Sequence, residues 1–390
     1  MFTTSTPELE TLGAAITTQE IKQQPKLWED TYAIYTNNRD KIDTFISSAR
    51  ELGGKRRTRV VFTGAGTSQY VGDTITPYLR RFGEKNAFEF ASVATTDIVS
   101  DPLGSLDADD PTVLVSFARS GNSPESMAAV QVARSLVKDL LLINITCAPE
   151  GRLAVESQGK TDTLTLLIPG ANDQGFAMTG SFSCMALLAT LIFDTSSHEQ
   201  KAAWVMDAAT LGREVISREH EIAAWLETDF ERITYLGSGP FSGLAREAQL
   251  KVLELAAGKN PTSFDSSMGY RHGPKSFVDA RTLVFDFVAN DPYTRQYDVD
   301  ILNEIAGDDI AALTIGIQQE GEGAFEGTSF TLPVNGSPLP AVYLALPFIV
   351  VAQTVALLNS VRVGNTPDTP SPSGTVNRVV KGVTIHPFEV

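Results

Sequence analysis

The chain has 390 residues, of which 42 % are hydrophobic and 20 % charged, as expected of a globular protein with two to three domains. Its formal charge of −16 argues against a nucleic-acid-binding protein, because the largest basic cluster is Lys55-Arg56-Arg57. The two cysteines, Cys147 and Cys184, lie in apolar surroundings without the spacing of a zinc site or a disulfide scaffold, which favours a cytoplasmic location.

The first 50 residues predict helices and no strand. No charged head precedes an apolar stretch, so no secretory signal is expected. Thr17-Thr-Gln-Glu20 has the pattern of a capping box, in which a hydroxyl and a carboxylate bind the free amides at the start of a helix. We expect residues 1–50 to form a helical N-terminal segment that covers the protein body or takes part in dimerisation.

Two series of apolar runs follow, and each run has the length of a strand buried on both faces. Each series opens with a strand, a glycine turn and a helix, at Gly64-Ala-Gly66 and at Gly237-Ser-Gly239. An internal duplication is the simplest explanation, with an α/β domain at 51–210, a second at 211–375 and a C-terminal tail at 376–390. The predicted strands are 60–63, 88–93, 113–117, 140–145, 164–168, 233–236, 263–265, 283–288, 313–317 and 330–334.

Ala341 to Leu358 is a run of 18 uncharged residues, the lower length limit of a membrane-spanning helix. It contains Pro347, Gln353 and Thr354 and lies inside the second repeat. We therefore favour a buried core helix over a membrane span.

A loop rich in hydroxyl groups follows the third predicted strand of the first repeat. Gly121 permits a tight turn, Ser123 is a plausible N-cap, and Pro124 suits the first helical position. The free amides of this helix, with the hydroxyls of Ser120 and Ser123, could bind a phosphate, although an ordinary capped helix explains the same pattern. Thr67 and Ser68 in the neighbouring loop favour the phosphate site.

The equivalent loop of the second repeat differs in charge. Asp291 occupies the predicted N-cap there, and its carboxylate would repel a phosphate. We therefore predict one anion site in the chain, in the first repeat.

The second repeat supplies candidate acid–base groups. Glu247, Lys251 and Glu254 share one face of a predicted helix, which is typical of a solvated salt-bridge stripe unless the helix borders a ligand site. Because this helix begins at the carboxyl edge of the sheet, we expect its first two turns to border the site and a glutamate there to act as a general base. His272 precedes a Gly-Pro turn, and an imidazole is a side chain suited to proton transfer.

These motifs resemble those of sugar isomerase (SIS) domain proteins, especially the isomerase half of glucosamine-6-phosphate synthase. The shared motifs are Gly64-Ala-Gly-Thr-Ser68, Ser120-Gly-Asn-Ser123, Lys251 with Glu254, and His272-Gly-Pro274. The similarity extends from about Lys55 to Val390. It implies two tandem SIS domains, each a doubly wound, flavodoxin-like parallel sheet of five strands.

The resemblance also implies residue roles. Thr67, Ser68, Ser120 and Ser123 match sugar-phosphate contacts, and Arg119 beside them is expected to contact the substrate. Glu254 matches the base that moves a proton between C1 and C2, with Lys251 next to it. His272 matches a ring-opening histidine contributed to the neighbouring subunit, which implies a homodimer. Thr179 matches a loop that lines the sugar, and Lys381 a tail lysine that closes over the substrate.

The chain departs from the synthase at two loop positions, because Arg119 replaces a glutamine and Asn122 a glutamate. It begins Met1-Phe2 without the N-terminal cysteine of a glutamine-hydrolysing domain, so we expect no ammonia production from glutamine. The segments Thr18 to Trp28 and Ser371 to Val379 resemble the AgaS type, which is described as tagatose-6-phosphate ketose/aldose isomerase and as galactosamine-6-phosphate deaminase.

The resemblance implies a deaminating aldose–ketose isomerase that converts D-galactosamine 6-phosphate to D-tagatose 6-phosphate and ammonia. No metal or redox cofactor, nucleic acid or membrane is expected to take part. The alternatives are a non-deaminating phosphosugar isomerase, a deglycase, a glucosamine-6-phosphate deaminase and a non-catalytic sugar-phosphate sensor. The joint presence of Lys251, Glu254 and His272 argues against a sensor, which needs no proton shuttle.

Overall fold

The computed structural model describes residues 1–380 and 382–389, and these divide into two compact units. The first-sheet unit comprises Leu27–Asp173, Gly180–Lys201 and the described part of Gly374–Val390. The second-sheet unit comprises Met1–Lys26, Gln174–Thr179 and Ala202–Ser373. Neither unit is continuous in sequence, and the predicted domain boundaries, which are continuous ranges, stay predictions.

Each unit contains a parallel sheet of five strands among the described residues. The strand order is β2-β1-β3-β4-β5 in one and β10-β9-β8-β6-β7 in the other, so both have the flavodoxin-like order and the predicted fold class is confirmed. The strands are β1 (Thr58–Thr63), β2 (Phe88–Ser92), β3 (Thr112–Ala118), β4 (Leu140–Thr146), β5 (Thr163–Leu167), β6 (Arg232–Gly237), β7 (Thr262–Asp265), β8 (Thr282–Phe287), β9 (Leu313–Gln319) and β10 (Ser329–Leu332).

Helical segments connect the successive parallel strands except β9 and β10, which a loop joins, and further helices precede β1 and follow β10. The α-helices are α1 (Thr6–Thr11), α2 (Ala15–Lys22), α3 (Gln24–Asn37), α4 (Arg39–Leu52), α5 (Thr67–Phe82), α6 (Thr95–Ser100), α7 (Pro102–Ser105), α8 (Pro124–Leu136), α9 (Arg152–Val155), α10 (Gly180–Phe193), α11 (His198–Ser217), α12 (Glu219–Trp225), α13 (Pro240–Leu255), α14 (Pro292–Gly307) and α15 (Ala341–Arg362). Short 3₁₀ helices span Pro169–Ala171, Gly269–His272 and Pro274–Phe277.

The first sheet is covered by helices on both faces. Val61, Leu114 and Leu142 pack on one face against α6 and α8. On the other face the rings of Phe62 and Phe90 lie edge-on to Phe193 of α10. Because both faces are buried, the strands read as continuous apolar runs rather than as alternating ones.

The second sheet has the same layering. Leu236 and Val284 pack with Ile301 and Ile305 of α14. Ring contacts on the other face join Phe241 of α13 and Phe287 of β8 to Phe348 of α15.

Helix α15 contains the uncharged run from Ala341. Among the described residues it is the one helix long and apolar enough to cross a membrane, and 89 % of its most apolar window is buried. It packs against α13 within its unit. The prediction of a buried core helix is therefore confirmed.

The start of α2 differs from the predicted capping box. The helix begins at Ala15, so Thr17 lies inside it. The amides of Ile16 and Thr17 donate to the carboxylate of Asp368 at 3.0 and 2.8 Å. The predicted capping box is therefore wrong, because a carboxylate distant in sequence caps the helix and Glu20 is engaged elsewhere.

Candidate active site

Helix α5 of the first-sheet unit begins directly after β1. Gly66 has a φ of +57°, which favours glycine, and Thr67 and Ser68 form the first turn with only 4 % and 6 % exposure. A Cβ at Gly64 would lie 2.4 Å from the carbonyl carbon of Ser68, so the turn requires glycine there too. The glycine turn thus brings two hydroxyl residues and the positive dipole end of α5 to the carboxyl end of β1.

Helix α8 begins after the neighbouring strand β3. Ser123 is its N-cap and Pro124 its first residue, as predicted. The Ser123 hydroxyl shares a 2.6 Å hydrogen bond with the Ser126 hydroxyl and does not cap a backbone amide. The Ser120 hydroxyl accepts from the Asn122 amide at 3.3 Å. Since β1 and β3 are paired, the starts of α5 and α8 lie at one sheet edge, an arrangement suited to an anion.

Arg119, immediately before Ser120, is 6 % exposed and binds the C-terminal tail. Its Nη2 donates to the Arg378 carbonyl oxygen at 2.7 Å. Arg378 in turn donates through Nε to the Asp173 carbonyl at 3.1 Å. Arg119 thereby holds the tail within the first-sheet unit, a role that the sequence did not predict.

Two further predicted substrate contacts lie outside these loops. Thr179 is fully buried in the loop Gln174–Thr179, which belongs to the second-sheet unit. Lys381 lies outside the described residues.

In the second-sheet unit, Glu247, Lys251 and Glu254 meet on α13. The Lys251 ammonium lies 3.2 Å from Glu247 Oε1 and 2.6 Å from Glu254 Oε2. Glu247 and Lys251 have no exposed side-chain surface, whereas Glu254 is 25 % exposed. The three residues therefore do not form a solvated stripe, and Glu254 presents the accessible carboxylate.

Burial opposes the charge of Lys251. The two carboxylates outweigh this effect and raise the pKa of Lys251 above its usual value. Lys251 is accordingly a cation held between two carboxylates.

The position of Glu254 along α13 corrects the sequence argument. The helix begins at Pro240, so Glu254 lies about 20 Å further along its axis rather than in the first two turns. Because α13 returns from the carboxyl end of β6 towards the start of β7, Glu254 lies towards the amino edge of this sheet.

His272 lies on the face of this sheet opposite α13. It ends a 3₁₀ helix whose Tyr270 packs with Leu236 and with α14, and its side chain is exposed. The neighbouring Arg271 and Lys275 bind Glu304 in the last turn of α14. The second-sheet unit therefore does not bring its own His272 to its own Glu254.

The carboxyl edge of the second sheet has polar groups different from those of the first. In the first sheet Thr63 of β1 pairs with Ser116 of β3, and at the equivalent position of the second sheet Leu236 of β6 pairs with Asp286 of β8. The third strand of the second repeat therefore has a carboxyl group where that of the first repeat has a hydroxyl. Asp291 caps α14, with its carboxylate accepting from the Thr294 amide at 3.1 Å, as predicted. This edge lacks the hydroxyl-rich helix start of the first sheet.

Sequence reasoning did not identify the acidic pair at this edge, Asp286 and Asp298. Ser267 donates to Asp286 at 3.2 Å, and Asp298 accepts from the Ala289 amide at 2.9 Å and from Ser238. Asp286 Oδ2 is buried without a hydrogen-bond partner among the described residues. Burial, followed by the charge of Asp298, raises the pKa of Asp286 well above its usual value. Its position in the apolar run from Leu283 to Val288 was the available signal.

We expect Asp286→Asn to stabilise the protein at neutral pH. Above about pH 4 the unfolded chain loses the Asp286 proton while the folded chain keeps it, so wild-type stability falls as pH rises towards the folded pKa. Within that interval each pH unit lowers the free energy of unfolding by about 1.4 kcal/mol, and asparagine, which does not ionise, removes this loss. Thermal unfolding between pH 4 and 8 should show the variant gaining several degrees over wild type as pH rises.

Asp300→Asn, an exposed change on α14, is the control for charge. It should leave the pH profile of melting temperature unaltered. An Asp286→Asn profile parallel to that of wild type would contradict a protonated Asp286.

Comparison with known proteins identifies a SIS domain at residues 55–193. A D-galactosamine-6-phosphate deaminase AgaS from Escherichia coli is 41 % identical over 98 % of this chain and 100 % of its own length. Another, from Shewanella sp. (strain ANA-3), is 38 % identical over 98 % of this chain and 95 % of its own. A crystal structure of tagatose-6-phosphate ketose/aldose isomerase from Escherichia coli superimposes with a TM-score of 0.86 at 37 % identity, covering 96 % of this chain and 97 % of that one.

Proposed function

This chain belongs to the SIS domain family and, within it, to the AgaS group, and we propose that it converts D-galactosamine 6-phosphate to D-tagatose 6-phosphate and ammonia. The observation that carries the proposal is the 41 % identity to an AgaS deaminase over nearly the whole of both chains. The proposal places the enzyme in the catabolism of amino sugars.

The phosphate group is bound by the first-sheet unit. Thr67, Ser68, Ser120 and Ser123 supply hydroxyls at the starts of α5 and α8, where the helix dipoles favour an anion. Arg119 is assigned to the tail rather than to the sugar, because its guanidinium binds the Arg378 carbonyl. This assignment revises the expectation that Arg119 contacts the substrate.

Glu254 is the base. Its carboxylate removes the C2 proton of the open-chain aldose, which gives an enolamine, and then delivers a proton to C1. The product is a ketose imine, and water adds to its C2 and releases ammonia to leave the ketose. Lys251, a cation beside Glu254, stabilises negative charge that develops on the substrate oxygen.

His272 assists ring opening in the partner subunit of a homodimer. Glu254 on α13 and His272 beside α14 lie on opposite faces of the sheet, which supports this division, since one chain's second-sheet unit does not bring the two together. Lys381 and Thr179 remain proposed sugar contacts. A cytoplasmic location accords with two buried free thiols.

The test is a panel of 2-amino-hexose 6-phosphates in which ammonia and ketose are both measured. We expect one ammonia per ketose, with the galacto sugar preferred over the gluco sugar. Turnover of the gluco sugar alone would contradict the substrate assignment, and binding without turnover would favour a sensor.

A second candidate is the plain isomerase. It is favoured by the similarity to the Escherichia coli protein whose structure is described as a tagatose-6-phosphate ketose/aldose isomerase. Interconversion of a neutral aldose 6-phosphate and its ketose, without ammonia release from the amino sugar, would support it.

We expect Ser123→Asp to raise KM by about 100-fold or more. A carboxylate at this N-cap repels the phosphate and removes a hydroxyl whose charge-assisted bond contributes about 1.5–3 kcal/mol. Steady-state kinetics and competitive inhibition by inorganic phosphate measure the effect. Ser135→Asp places the same charge on the exposed face of α8 and should leave KM unchanged. An unchanged phosphate inhibition constant in Ser123→Asp would contradict the anchor.

We expect complementation between two inactive variants, His272→Ala and Glu254→Gln. Each mixed dimer contains one site with both residues intact, so mixing equal amounts restores about a quarter of the wild-type sites after subunit exchange. Ammonia release before and after exchange measures this. The absence of recovery in a mixture shown to contain mixed dimers would contradict a shared histidine.

A further inference from the structure

Glu20 of α2 is a buried carboxylate bound to a loop of its own unit. Glu20 is only 6 % exposed. Oε1 accepts from the amides of Gln174 and Gly175, the latter at 3.1 Å, and Oε2 lies 3.3 Å from the Gly175 amide. A carboxylate removed from water is costly unless hydrogen bonds replace its hydration, and here two backbone amides do so.

The loop is shaped to receive this carboxylate. A Cβ at Gly175 would lie 2.8 Å from Glu20 Oε2, closer than side chains tolerate. Glycine at 175 therefore allows the carboxylate to reach both amides, and any larger residue would displace it.

Helix α2 is itself fixed. At its start the Asp368 carboxylate accepts from the Ile16 and Thr17 amides and, at 2.8 Å, from the Thr17 hydroxyl. Glu20 extends from the following turn, so its carboxylate stands on a helix that is held at its other end. Glu20 can consequently hold residues 174 and 175 to a defined position.

The loop that Glu20 holds ends at Thr179, four residues beyond Gly175, and the Thr179 side chain is fully buried. In the proposed function Thr179 contacts the sugar rather than the phosphate. A loop displacement of about 1 Å can cost up to about 10²-fold in rate when it carries a substrate contact.

We propose that Glu20 is a positioning residue that sets the sugar-contacting loop and, through it, the preference between the C4 epimers. The inference rests on the proposed function. Glu20 does not touch the substrate. It acts through the backbone amides of Gln174 and Gly175, while phosphate binding belongs to other residues.

The experiment compares Glu20→Ala, Glu20→Gln and Gly175→Ala with wild type on galactosamine and glucosamine 6-phosphates. We expect kcat for the galacto sugar to fall about 10- to 100-fold in Glu20→Ala. The ratio of galacto to gluco activity should also become smaller. The inhibition constant of inorganic phosphate should stay within about twofold, because that anion does not use the loop. Gly175→Ala disturbs the same contact from the loop side, so it should change the ratio of galacto to gluco activity in the same direction.

Asp291→Ala is the matched control, since Asp291 also accepts from a backbone amide of this unit, at the start of α14, without touching α2 or the loop. It should lower the melting temperature and leave the epimer ratio unchanged. Three results would overturn the inference: an unchanged epimer ratio in folded Glu20→Ala and Glu20→Gln, an equal change in Asp291→Ala, or a parallel loss of phosphate binding. If wild type releases no ammonia from either sugar, the proposed function fails first, and this inference fails with it.

Discussion

Replacing Glu254 with glutamine is expected to lower kcat for ammonia release by about 10²–10⁴-fold with a small change in KM. Glutamine keeps the size of the side chain and can still accept a hydrogen bond from Lys251, but it cannot take a proton from carbon. The measurement is ammonia release under steady-state conditions. Exchange of the C2 proton with solvent, followed in deuterated water, reports the same step without the later loss of ammonia.

Glu231→Gln is a suitable control, because Glu231 is an exposed glutamate of the same unit that pairs with Arg281. It should retain wild-type turnover and proton exchange. If Glu254→Gln retains wild-type ammonia release, Glu254 is not the base, whatever its resemblance to one.

Lys251→Met is expected to abolish turnover and to lower the free energy of unfolding by about 3–5 kcal/mol. The fully buried Glu247 would lose the cation 3.2 Å from its carboxylate, which makes its charge costly to keep, and Glu254 would lose its 2.6 Å contact. Methionine fills a similar volume, so the loss is electrostatic rather than a packing defect. Denaturant unfolding and ammonia release measure the two effects.

The double variant Glu247→Gln/Lys251→Met separates stability from catalysis. Neutralising Glu247 removes the cost of a buried carboxylate that has lost Lys251, so much of the lost stability should return while turnover stays abolished. Recovery of turnover together with stability would show that Lys251 has only a structural role. Full stability in the Lys251→Met single variant would contradict the buried ion pair.

The strands were predictable because parallel strands covered on both faces must be apolar throughout. The predicted run 283–288 differs from β8 by one residue at each end, and the other strands agree within about two residues. Local chemistry also sufficed at Ser123 and Asp291, whose N-cap positions depend only on neighbouring residues.

Features that depend on distant residues were not predictable in this way. Thr17 fits a capping box, yet Asp368 supplies the cap from the far end of the chain. Helical periodicity alone predicts a solvated stripe as readily as a buried one, because the burial of Glu247 and Lys251 depends on packing around α13. Likewise, the spacing on α13 grouped three side chains correctly, but the length of the helix places Glu254 far from its start.

The discontinuous make-up of the second-sheet unit has a consequence for synthesis of the protein. Residues 1–26 leave the ribosome long before Ala202–Ser373, the segment with which they form one compact unit. The amides of α2 cannot bind Asp368 until that residue has been synthesised. Likewise, Gln24 cannot form its 2.6 Å hydrogen bond until Gln353 has been synthesised. Cotranslational folding can therefore complete the first sheet while the N-terminal helices still lack their partners, and the second-sheet unit closes only when nearly the whole chain has been made.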